Sequence, residues 1–437
     1  MPHPIVCQDE GLRQYVHSFR GFFSRPQQKH FETVLVAMLM SQEGHTLSDL
    51  QRAIANQKSL SSVSRFFGQA PWDHRLVNQH SFSCFCLMME SKIERERQRL
   101  QAQQPKRRGP HKVPLVTGYL IGDDSTMSKP KGKKMEGLGK HHSTTYDKRI
   151  TGHSLVQCLY TVLGRYCPLE PLLYRQKTTA EAEEVLFFSK IDLMIQQIEN
   201  FISPVGTETH VLLDSWYSAK KIWKAARKRN FKITTGLKCN RSLRVSCADD
   251  PSGWKWQKLT DYVEALPKSA YQECYWPRNP ERKVWVHVVD TRVKTLYRCK
   301  VIIVRQSLDD PLSATRFWAS SDLEADAQAL LGHISARWDI EVFFEDMKEL
   351  LGIDQYQLMT TTALLRYWTL CWVTFSFLEN VRYQLKQQRD NQEGQHATLG
   401  QARRTVQEKH FKLFLEWVYK HALSGTPVEE LFTSLVA

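Results

Sequence analysis

The stretch HVLLDSWYSAKKIWKAARKRNFKITTGL, beginning at His210, narrows the possible folds more than any other part of the chain. Val211 to Leu213 is a short apolar strand that stops at Asp214, Ala219 to Arg229 reads as a helix, and Phe231 to Thr235 reads as a second strand. A strand–helix–strand unit belongs to an α/β sheet, where reactive groups gather at the carboxyl ends of strands. Asp214 stands at such an end. LVTGYLIGDDST repeats the pattern: Leu115 to Ile121 is rich in β-branched and aromatic residues and runs into Asp123 and Asp124. HSLVQCLYTVL from His153 and PLLYRQ from Pro171 read as further strands. Ala180 to Ile202 carries helical periodicity through Val185, Phe188, Ile191, Met194, Ile195 and Ile198.

On either side of this core the pattern is helical. Phe19, Phe22, Phe23, Phe31, Val34, Leu35, Met38 and Leu39 recur at helix spacing, and Phe66, Phe67 and Trp72 form a second cluster, as in a small DNA-binding bundle. A polar tether with Lys106, Arg107 and Arg108 follows. Between about 237 and 316 the chain turns β-rich, with Trp254, Trp256, Trp276 and Trp285 and a hairpin of KVWVHVV with TLYRCKVIIV. Helices resume at Asp326. The apolar run Tyr367–Leu378 is too short to span a bilayer and reads as a buried helix. The expected division is a helical domain with basic linker (1–112), an α/β core in two parts (113–236 and 317–385) around a β-rich insertion (237–316), and a C-terminal helical region (386–437).

The formal net charge of +14 favours a polyanionic partner, nucleic acid first. The ten cysteines are scattered, with no C-x-x-C pair, so a zinc site and a disulfide scaffold are both unsupported, and a reducing cytosolic setting fits. The opening MPHPIVCQDEGLRQ shows no secretory pattern. Gly132 and Gly137 have P-loop spacing, but Leu138 occupies the required Lys position, so ATP use is unsupported.

A third carboxylate sits in ARWDIEVFFEDMKELLG. At about 100° per residue, Arg337, Glu341 and Lys348 fall within roughly 40° on one helix face. Ile340, Phe343, Met347, Leu350 and Leu351 form the apolar stripe beside them. Glu345, the alternative, lies about 40° further round. Asp123 and Asp124 face opposite sides of their strand, so only one can join a shared site. Carboxylates at neighbouring strand ends offer the oxygen ligands that Mg²⁺ accepts.

Taken together, GDDSTMSKPKGKK, HVLLDSWYSAKKIWKAARKRNFKITTGLK and RWDIEVFFEDMKELLGIDQYQ resemble the DDE transposases of bacterial insertion sequences. They are most similar to the cut-and-paste group with a Tyr-Arg-Glu-Lys signature. Arg337, Glu341 and Lys348 match its spacing. Ile334 occupies the Tyr position, with His333 beside it as a substitute phosphate contact. The resemblance implies an RNase H-like core in which Asp123, Asp214 and Glu341 hold two Mg²⁺ ions, with Mn²⁺ able to substitute, while Arg337 and Lys348 grip phosphates. It favours Asp123 over Asp124. It implies cleavage at element ends, transfer of the 3′-OH ends into target DNA, a homodimeric synapse, and a bacterial cytoplasm where the protein meets the nucleoid. A silent DNA-binding descendant and a nuclease without strand transfer share the same pattern.

The basic loop with Lys129, Lys131, Lys133 and Lys134, and the helix with Lys220, Lys221 and Lys224, are candidate backbone contacts. Trp254, Trp256 and Trp276 are candidates for stacking on an unpaired base, and Trp216 for fixing the turn after Asp214.

Overall fold

The computed structural model describes residues 9–42, 44–54, 59–104, 113–143, 147–389 and 397–436. The Lys106–Arg108 run lies outside them, as do residues 390–396. Helices come first: α1 (Glu10–Ser18), α2 (Arg25–Met40), α3 (Leu47–Arg52), α4 (Leu60–Gly68) and the long α5 (His74–Gln103). Then follow β1 (Val116–Ser128), β2 (Gly139–Ser143), β3 (Lys148–Val162), β4 (Arg165–Pro168), β5 (Leu172–Tyr174), α6 (Lys177–Ala182), α7 (Lys190–Asn200), β6 (Thr207–Leu213), α8 (Lys220–Lys228) and β7 (Lys232–Leu237). The third stretch holds β8 (Ser242–Ser246), β9 (Trp254–Lys258), α9 (Leu259–Glu264), β10 (Gln272–Trp276), β11 (Asn279–Arg292), β12 (Arg298–Arg305) and β13 (Arg316–Ser320). The last is helical: α10 (Ala327–Ala336), α11 (Asp339–Glu349), α12 (Thr361–Arg389), α13 (Leu399–Leu423) and α14 (Val428–Val436).

β3 runs antiparallel to β1, and β4 and β5 pair antiparallel with β3; β6 lies parallel to β1 on its other side, and β7 parallel to β6 through the α8 crossover. Antiparallel strands followed by two parallel ones give the RNase H-like order. The β-rich region then continues this sheet. β13 pairs antiparallel with β7, from Phe317↔Leu237 to Ser320↔Thr234, and β12, β11 and β10 follow outward. Among the described residues one mixed sheet holds eleven strands, and β8 with β9 forms a separate ribbon.

Alternation on β1 divides the interior in two. Ile121 and Met127 pack with Leu155 and Leu159 of β3, with Ile340, Phe343 and Met347 of α11, and with the apolar run of α12. Phe19, Phe31, Leu35, Phe66, Phe67 and Trp72 belong to that same core, so the N-terminal helices are built onto α12. On the other face Leu120 meets Met194 and Ile198 of α7 and Trp223 of α8.

β1 and the helix expected after β5 depart from the sequence reading. β1 does not end at the Asp pair: β3 stays paired with it as far as Ser128↔Gly152, although the parallel partner β6 stops at Gly122↔Leu213. The expected helix over Ala180–Ile202 is two helices. Glu184 takes a left-handed conformation (φ 53°), and a Ser189–Asp192 capping box starts α7 afresh.

Candidate active site

The alternation that divides the core also separates Asp123 from Asp124. On the α7 side Asp124 is fully engaged: Lys190 Nζ lies 2.5 Å from its Oδ2, and the Tyr217 hydroxyl donates to its Oδ1 at 2.9 Å. On the α11 side Asp123 faces Arg337, whose Nη1 is 3.7 Å from Asp123 Oδ2 and whose Nη2 donates to Glu341 Oε1. Asp214 directly follows β6, where the β1–β6 ladder ends. Its Oδ1 accepts the backbone N–H groups of Trp216 (3.0 Å) and Tyr217 (3.3 Å), which fix the turn. One guanidinium thus stands among the three acidic groups.

One positive charge does not balance them. Burial, then Asp214 and Asp124, push the Asp123 carboxyl up to about 8. Burial also raises Asp214, against the two backbone N–H groups and Arg337. Glu341 Oε2 is buried with no hydrogen-bond partner. A set of crowded carboxylate oxygens, one of them unsatisfied, fits a hard divalent cation such as Mg²⁺.

The model of the DDE superfamily endonuclease family matches residues 18–273, more than half of the chain. The chain belongs to that superfamily. The matched segment holds Asp123 and Asp214 and stops before Glu341, which the fold brings to them through Arg337. No curated protein matches this DDE-superfamily chain. Among solved structures, a piggyBac transposase synaptic complex with hairpin DNA, determined by cryo-EM, is similar with a TM-score of 0.44 and 9% identity, covering 94% of this chain and 79% of that one.

Elsewhere in the DDE-superfamily chain the other singled-out residues take varied positions. The helix expected to carry Arg337, Glu341 and Lys348 is divided: α10 ends at Ala336 with Arg337 as its C-cap, and tight bonds such as Glu341 N–H to Trp338 O (3.2 Å) lead into α11. Arg337 still reaches Glu341 one turn on. Lys348 is half-buried, its ammonium pKa lowered by burial with Asp354 opposing. Lys129 is a structural residue. Its ammonium donates to the carbonyls of Asp354 and Tyr356 (2.6 Å for the latter) and lies 3.8 Å from the Tyr356 ring centre. Lys131, Lys133 and Lys134 are exposed, as are Lys220, Lys221 and Lys224 on the outer face of α8. His333, expected to stand in for the missing Tyr, is buried against Tyr119 and His210.

The tryptophans are redistributed. Trp254 and Trp256 form an edge-to-face pair on β9, and Trp254 lines a cavity with Asn230 and Lys232, at the end of β7 away from Asp214. Trp216 does not pack the turn: it is 59% exposed, with Lys238 beside its ring, and Tyr217 is the buried residue there. Asp214 and Arg337 instead line a cleft of about 490 Å³ with Arg316 and Trp318. Those last three residues also border a groove of about 690 Å³ with Trp276, Arg278, Arg305 and Trp338. Sequence reading singled out only Trp276 of this groove for stacking on a base, because its arginines and tryptophans come from four separated segments.

Proposed function

We propose that this chain is a cut-and-paste DNA transposase, of the group with the Tyr-Arg-Glu-Lys signature, whose catalytic and metal-binding residues are Asp123, Asp214 and Glu341. The observation that supports the reading is that Arg337 reaches both Asp123 and Glu341, while burial, then the neighbouring Asp214 and Asp124, push Asp123 up to about 8, in a chain of net charge +14. The three carboxylates would hold Mg²⁺, or Mn²⁺ in its place, which lowers the pKa of an attacking water or 3′-OH and neutralises charge on the leaving oxygen. Arg337 positions Asp123 and Glu341 relative to each other. DNA backbone runs past Lys131, Lys133 and Lys134, Lys220, Lys221 and Lys224, and Lys348. Bases at the strand break stack in the groove of Trp318 and Trp338, with the arginines neutralising phosphate. Two copies synapse two element ends, in a bacterial cytoplasm at the nucleoid. No helix among the described residues is long and apolar enough to cross a membrane.

The test uses labelled duplexes made from the DNA that borders the gene on each side, with Mg²⁺. Nicked and joined products are expected. Asp214→Asn and Glu341→Gln are expected to lower both at least a thousandfold, roughly, with binding intact. Nicking without joining indicates a nuclease, binding without cleavage indicates a silent descendant, and full activity in either variant overturns the site.

A further inference from the structure

Behind the cleft lies a second cluster, made of groups that attract a different class of metal. His210 on β6, Asp322 just after β13 and His333 on α10 are 1%, 7% and 8% exposed, and one ligand atom from each lies within 4.8 Å of the other two. The imidazole centres of His210 and His333 are 4.1 Å apart. Hydrogen bonding fixes the His210 tautomer. The Thr234 hydroxyl donates to Ser320 Oγ at 2.8 Å, so it accepts from His210 Nε2, also at 2.8 Å. The proton therefore sits on Nε2, and Nδ1 turns a lone pair into the cluster with no hydrogen-bond partner. His333 Nδ1 meets the Tyr119 hydroxyl at 3.2 Å, and its buried Nε2 faces Asp322 Oδ2 at 3.7 Å.

We propose that His210, Asp322 and His333 form a structural site for a divalent first-row transition metal, Zn²⁺ by ligand type, separate from the cleft carboxylates. Two imidazoles with a carboxylate suit Zn²⁺, whereas Mg²⁺ prefers oxygen ligands throughout. Each imidazole has its outer nitrogen tied to a hydroxyl, the orienting arrangement that metal-bound histidines show. Lys232, 3.1 Å from Asp322 Oδ2, holds the carboxylate in place, and water completes the coordination. The ion joins the strand that leads into Asp214 to the helix that leads into Arg337, one turn beyond His333. It thereby fixes the distance between the two halves of the cleft. A cysteine search could not find such a site, since its ligands are one Asp and two His residues far apart in the chain.

The full chain, with Asp123, Asp214 and Glu341 replaced by their amides to silence the cleft, is stripped with a chelator and then equilibrated with Zn²⁺ or Co²⁺. One ion per chain is expected, undisturbed by excess Mg²⁺. The Co²⁺ form should show visible bands of low-coordinate nitrogen–oxygen ligation, and the Zn²⁺ form X-ray absorption scattering from two imidazoles. Adding His333→Gln should weaken binding at least about tenfold. If that variant fails to fold, the X-ray absorption spectrum decides alone. No bound metal, or a shell of oxygen only, overturns the proposal and leaves a water-filled histidine–aspartate cluster.

Discussion

Burial beside Asp214 and Asp124 pushes the Asp123 carboxyl up to about 8, so the folded, metal-free chain keeps a proton there that the unfolded chain loses near the ordinary value of 3.8. A folded-state value above the unfolded one means that this group's contribution to stability falls as pH rises from about 4 to about 8. Metal-free protein should therefore melt at progressively lower temperature across that window. Asp123→Asn should flatten the slope, and Mg²⁺ added at pH 8 should restore stability; thermal scans at several pH values measure all three. Arg337 permits a second prediction. Its planar fork reaches Asp123 with one nitrogen and Glu341 with another, a geometry that a lysine ammonium does not reproduce. Arg337→Lys should lower cleavage by about tenfold to a hundredfold while changing DNA affinity much less, as a gel-shift assay run beside the cleavage assay would show.

Among the elements, two glycines and a lysine carry sharp expectations. A Cβ on Gly236 would come within 2.8 Å of the backbone nitrogen of Ser215, in the turn that holds Asp214. Gly236→Ala should cost about 1–3 kcal/mol in denaturant unfolding and reduce cleavage further than that loss explains. A Cβ on Gly122 would meet the side chains of Leu213 and Met194 at 2.6 Å, so the glycine leaves room for these two side chains just before the Asp residues. Lys129→Ala leaves two buried carbonyls without a donor and should cost about 1–3 kcal/mol. Replacing Lys131, Lys133 and Lys134 together should leave unfolding unchanged and make DNA binding less salt-sensitive. The strand–helix–strand unit at Asp214 was legible because its pattern is local: each strand is a short apolar run and the helix between them is amphipathic. The continuation of β1 past Asp123 was not, since it depends on pairing with β3. The break before α7 turned on one left-handed residue. Asp123, Asp214 and Glu341 were readable only as a pattern across three segments, and the groove around Trp318 and Trp338 had no pattern at all.

At the level of the whole molecule, the N-terminal helices and α12 share one core, with Arg366 donating to the carbonyls of Phe67 and Trp72 and Tyr367 to that of His45. Removing residues 1–112 should expose the apolar flank of α12 and give insoluble protein, which a solubility assay of the truncated chain against the full one would show. The continuous sheet has a different consequence, one of measure. Between Asp214 and Glu341 the chain lays down β10 to β13 on the edge of β7, so the ladder acts as a gauge that sets how far the third carboxylate is carried. Residues added at a hairpin tip leave the gauge unaltered. A single residue added inside β12 or β13 turns every later side chain of that strand to the opposite face and carries Glu341 off its mark.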